Sequence, residues 1–93
     1  MSVAETIRAK LEAAFAPSRI EIRDESRLHE GHAGARPGGE SHFRIFVVSA
    51  AFEGLSRVER QRRVNEALKD ELAGPVHALA MTTLAPGEPG ARG

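Results

Sequence analysis

Phe43-Arg44-Ile45-Phe46-Val47-Val48 is the stretch around which the rest of the chain arranges itself. The run is mostly apolar and too short for a buried helix, which suits a strand in the middle of a sheet. Upstream, Ile20 and Ile22 alternate with Arg19, Glu21 and Arg23, the period of two expected of a strand with one buried face. This first strand is expected to pair with 43–48. The segment between them, 27–40, carries Gly31, Gly34, Pro37, Gly38 and Gly39 with almost no apolar content, and reads as a long loop.

Working outward, Ser2 and Glu5 read as a capping box, and Val3, Ile7, Leu11 and Phe15 then recur every four residues along a first helix that Pro17 ends. Downstream, Phe52-Glu53-Gly54-Leu55 is a compact turn. Ser56 and Glu59 form a second capping box, opening a helix to about Ala73 whose buried stripe is Val64, Leu68 and Leu72. Gly74-Pro75 stops it, and 76–84 reads as a third strand. The order αββαβ predicts an α+β fold with a three-stranded sheet covered on one face by helices. The expected organisation is one domain over 1–84 and a flexible tail over 85–93, rich in Pro and Gly. Ile7, Leu11, Phe15, Ile22, Phe43, Ile45, Val64, Leu68 and Leu79 are the expected core.

Ninety-three residues allow one small core, and 41% hydrophobic with 28% charged residues is the composition of a globular chain rather than a disordered one. No apolar run is long enough to span a bilayer, and 1–5 lacks the pattern of a signal peptide, so a cytoplasmic protein without membrane contact is expected. A net charge of zero argues against a dominant electrostatic hold on nucleic acid. No nucleophile elbow surrounds Ser26, although Asp24 and His29 lie near it, and no phosphate-binding loop is present, so an enzyme is not expected.

What chemistry the chain does carry lies in four histidines and no cysteine. His29, His32 and His42 fall in or beside the loop, and His77 stands at the head of the last apolar run. Imidazole is a versatile metal ligand, so a separated histidine facing a histidine-bearing loop points to a shared site to which another molecule would bring the sulfur. A zinc site from His29, His32, His42 and Glu40 competes, against the ordering cost of a glycine-rich loop.

Asp24-Glu25-Ser26, the Gly/His loop, Glu40-Ser41-His42-Phe43, Val48-Ser49, Phe52-Glu53-Gly54-Leu55-Ser56, Arg60-Gln61-Arg62-Arg63-Val64 and Val76-His77-Ala78-Leu79 together resemble the BolA family in order and spacing. The resemblance covers almost the whole chain and implies a KH-like fold of the class II type. It also implies a heterodimer with a monothiol glutaredoxin, bridged by a 2Fe-2S cluster to which the glutaredoxin and glutathione contribute thiolates. His77 matches the family's fixed ligand. Gly31-His32-Ala33 matches the histidine form of the loop ligand, with His29 as a substitute, while His42 is expected to tie the loop to the sheet. No cluster is expected to be held tightly by the isolated chain. Many members carry histidine where Gln61 stands. The same resemblance implies a runner-up function, DNA-binding transcription regulation, for which Arg57, Arg60, Arg62 and Arg63 on the second helix are the candidates.

Overall fold

A computed structural model describes residues 2–25 and 42–91. Helix α1 (Val3–Phe15) is followed by β1 (Arg19–Asp24), β2 (His42–Val48), a 3₁₀ turn (Ala50–Phe52), α2 (Arg57–Ala67), α3 (Lys69–Ala73) and β3 (Ala78–Leu84). The sheet has the order β1-β2-β3, with β2 antiparallel to β1 and parallel to β3. The parallel pair needs a long crossover, and α2 with α3 supplies it. This is the expected α+β architecture with the expected central strand.

Alternation decides which face is covered. Phe43, Ile45 and Val47 of β2 are buried against Ile7, Leu11 and Phe15 of α1 and Val64 of α2, and Arg44 between them is exposed. The register sets Ile20 and Ile22 beside Val47 and Ile45, and Leu79 and Met81 beside Phe43 and Ile45, so all three strands send one apolar row to the helices. Ile22 and Leu79 sit at the margin of that core, only partly buried. Phe52 of the 3₁₀ turn joins it, as do Val76 and Ala85, which are buried without belonging to a helix or strand.

The ends of α1 follow from local chemistry. The Ser2 hydroxyl accepts from the Glu5 N–H at 3.1 Å and the Glu5 carboxylate accepts from the Ser2 N–H at 3.0 Å, a complete capping box. These hydrogen bonds, with the Ser2 backbone first, hold the Glu5 carboxyl below its ordinary value. At the other end Ala16 takes a left-handed conformation, φ 43°, and Pro17 cannot continue the helix. Buried Ser49 then locks this end to the sheet, its hydroxyl donating to the Phe15 carbonyl at 2.5 Å and accepting from the Ala51 N–H.

Three expectations need correction. The helix expected from Ser56 to Ala73 is broken at Leu68, whose φ of −107° departs from helical geometry; the bend keeps Val64 and Leu68 in the core while leading the chain toward buried Val76. The second capping box is only half formed, because Ser56 caps the Glu59 N–H whereas the Glu59 carboxylate turns to Arg62 and Arg63. Finally, the described part of the expected flexible tail folds back on the domain. Ala85 is buried, and Glu88 binds both the Ala85 N–H and the guanidinium of Arg60.

Candidate functional site

Where β2 and β3 begin, the register sets His42 beside Ala78, one residue beyond His77. His77 lies in the bend before β3, not within the strand that the apolar run suggested. Its backbone is nonetheless well fixed. Val76 is buried and donates its N–H to the Glu71 carbonyl at 2.9 Å, and Ala78 opens the parallel ladder, so the exposed His77 side chain projects from an anchored segment. The His42 and His77 rings lie 6.3 Å apart between centroids and within 19° of parallel.

The loop leaves and returns at this same edge. The Glu25 N–H donates to the His42 carbonyl at 2.7 Å, extending the β1–β2 ladder to the point where 26–41 begins, and the Glu25 carboxylate pairs with Arg44 at 3.1 Å. His32 and His29, expected as loop ligands, lie outside the described residues, as do Glu40 and Ser26. Their chain positions nevertheless tether them to a ladder end that stands beside His77. Among the described residues no group of three or more histidine, cysteine or carboxylate side chains converges. The imidazole donors present are of a type that suits iron or zinc, and the set is incomplete without further ligands.

The juxtaposition of His42 with His77 depends on the register of two strands that are distant in the sequence. A signal for it exists, since each histidine immediately precedes a β-forming apolar run, and aligning those runs as parallel neighbours brings the two together. The sequence does not by itself specify that the runs are neighbours in this register.

The second-helix arginines separate into unlike groups. Arg60 is buried: its Nε donates to the Leu55 carbonyl at 3.0 Å, one terminal nitrogen donates to the Thr83 carbonyl at 3.1 Å and to Glu88 at 2.7 Å, and the other donates to Glu88 at 2.9 Å. It also lies over the Phe52 ring at 6.0 Å. The Arg60 hydrogen bonds, aided by the Ala85 N–H, bring the Glu88 carboxyl down to about 2. Arg60 is therefore an internal clamp, not the surface cation its charge suggested. Arg57 is exposed, and Arg62 and Arg63 are exposed partners of Glu59 at 3.8 and 3.3 Å. Beside them a groove with Ala14, Phe15 and Ala67 in its lining separates α2 from the end of α1.

The fold is shared with known proteins. The family profile described as BolA-like protein matches residues 11–88. The chain is 54% identical over 82 residues to BolA-like protein 1 of Mus musculus, covering 88% of this chain and 57% of that one. It therefore spans little more than half the length of that relative. It is 36% identical over 88 residues to the protein named DNA-binding transcriptional regulator BolA of Haemophilus influenzae, covering 95% and 82% of the two chains. The BolA domain of SufE1 from Arabidopsis thaliana superposes with a TM-score of 0.81 at 40% identity, covering 92% of this chain and 94% of that one.

Proposed function

The chain belongs to the BolA-like family, and from that premise we propose that it is a non-enzymatic partner of a monothiol glutaredoxin, with which it shares a bridging 2Fe-2S cluster. The observation that carries this reading is the exposed His77, held on a fixed backbone beside the exit and return of the histidine-bearing loop. His77 is the fixed ligand, and a loop imidazole, His32 or in its place His29, is the second. With no cysteine in the chain, every thiolate comes from the glutaredoxin and glutathione. Bound in this way, a cluster with imidazole ligands on one iron has a raised reduction potential. A cluster whose thiolates all come from the partner and glutathione is shared rather than owned, which suits cluster trafficking or iron-linked regulation better than permanent electron transport.

The test is anaerobic reconstitution with a monothiol glutaredoxin and glutathione, followed by visible circular dichroism. His77→Ala is expected to abolish the heterodimer spectrum, and His32→Ala to alter it. A spectrum unchanged by His77→Ala overturns the assignment.

A second reading, DNA binding, is favoured by the exposure of Arg57, Arg62 and Arg63 along one helix and by the name of the Haemophilus relative. It cannot use Arg60. Each phosphate contacted on duplex DNA contributes about 0.9 to the slope of log affinity against log salt, so three arginines predict a slope of no more than about 3. An affinity that does not vary with salt, or that survives replacement of all three by alanine, rules this mode out.

A further inference from the structure

Both outer strands of the sheet, β1 and β3, have an edge without a neighbouring strand among the described residues, and the two edges are guarded differently. β1 carries Arg19, Glu21, Arg23 and Asp24, the charged rim by which sheet edges are kept from pairing. β3 carries Ala78, Leu79, Ala80, Met81 and Thr82, with no charge at all. We infer that this uncharged edge is a self-association surface, on which a second copy of the chain lays its own β3 antiparallel and joins two three-stranded sheets into one. The inference does not depend on the cluster reading, although the edge begins one residue after His77.

The backbone shows which groups are on offer. Leu84 turns its carbonyl inward, where it accepts from the Ser49 N–H at 2.9 Å, and Thr83 turns its carbonyl outward, where it accepts from Arg60 at 3.1 Å. Alternation along the strand therefore sends the N–H and C=O of Leu79 and Met81 outward as well. No hydrogen bond among the described residues reaches them from that side. The open stretch is bounded at both ends. The bend that holds His77 precedes it, and the Arg60 guanidinium, itself held by Glu88, closes it at Thr83. What lies between, Ala78 to Thr82, is centred on Ala80.

That centring selects a second copy as the occupant. A two-fold axis through Ala80 sets Leu79 opposite Met81 of the second copy and Met81 opposite its Leu79, and each such pair exchanges two backbone hydrogen bonds. The alternate pairs, where antiparallel strands come closest at about 4.5 Å between Cα atoms, are Ala80 with Ala80 and Ala78 with Thr82, and these side chains are small enough to meet. Leu79 and Met81 are only partly buried against the helices, so the pairing covers apolar surface that the isolated chain leaves wet. No like charges meet in this register, and a charged strand would find no countercharge on this edge. Because the contact is isologous it closes at a dimer. An edge this short buries far less than the 1,200 Å² or so of a stable interface, so association is weak and appears only at high concentration.

The experiment uses the full chain, untagged and without glutaredoxin. Sedimentation and amide hydrogen exchange are followed from about 20 µM to about 1 mM. The mass is expected to rise toward that of a dimer, and the Leu79 and Met81 amides to gain at least about threefold protection with no gain along β1. Ala80→Lys and Ala80→Glu, each checked for its fold by far-ultraviolet circular dichroism, set like charges against one another on the axis. Each is expected to weaken association at least about tenfold, and an equal mixture of the two to restore it. Arg23→Glu, on the far edge, is expected to change it less than about twofold. A wild-type chain that stays monomeric at the highest concentration, undiminished association of either Ala80 variant, a mixture no better than its components, or protection gained by β1 in place of β3 overturns the proposal. Protection of Leu79 and Met81 that appears only when a monothiol glutaredoxin is added gives the edge to another protein's strand, and equally overturns it.

Discussion

At the start of β3, His77 leaves its imidazole exposed beside His42; at its end, roughly 20 Å along the strand, Arg60 hides a full positive charge beneath the turn that follows Leu84. Both places gather ionisable side chains from distant parts of the sequence. They differ in who satisfies them. Arg60 spends its donors within the chain, on Leu55, Thr83 and Glu88, while the His77 side chain is exposed to solvent. Charge alone therefore does not mark a binding surface. What marks one is ionisable chemistry that a rigid backbone holds out, without internal consumption.

The largest way to break this contrast is to remove the floor of the closed end. Phe52 is fully buried, packs on Phe15 at 5.0 Å between centroids and lies under Arg60. Phe52→Ala is expected to cost about 3–5 kcal/mol in urea denaturation. Arg60→Leu should come next, at about 1.5–3 kcal/mol, since it removes several charge-assisted hydrogen bonds but leaves Glu88 partly accessible to water. If Arg60 were instead a surface cation, Arg60→Leu would leave the denaturation midpoint unchanged.

Glu88 gives a smaller effect with a definite pH signature. Its carboxyl lies at about 2 when folded because it accepts from Arg60 and from the Ala85 N–H, against an ordinary value of about 4.3 in an unfolded chain. A lowered folded value means that the contribution is complete above the unfolded value and is lost as pH falls through the folded one. The stability difference between wild type and Glu88→Gln is thus expected to be constant near neutrality and to shrink between about pH 4.3 and 2. Urea midpoints measured for both chains across that range check it; a difference that persists undiminished at pH 2 contradicts the clamp.

The same contrast explains how far the sequence could be read. Alternation in 43–48 and the four-residue period of Val3, Ile7, Leu11 and Phe15 are local signals, and they led to the right elements and to most of the core. Leu68 broke a helix because the chain must turn to bury Val76, a requirement that no local period encodes. The Arg60–Glu88 pair is separated by 28 residues, and the Pro/Gly composition of 85–91 gave every local reason to expect a frayed end. For the histidines, family spacing singles out His77 as a candidate, whereas the nearness of His42 to it follows only from the parallel register of β2 and β3.

The smallest expected stability effect is the most telling. His77 is exposed, its neighbours Val76 and Ala78 supply the anchoring, and no described hydrogen bond uses its ring. His77→Ala should therefore change unfolding free energy by less than about 0.5 kcal/mol, as substitutions on an open surface do. The same variant is expected to lose the heterodimer spectrum. A residue whose removal leaves the fold intact while abolishing that spectrum is one that the fold carries for a partner. Should His77→Ala instead destabilise the chain as Arg60→Leu does, the histidine end would be another internal clamp, and the difference between the two ends of β3 would disappear.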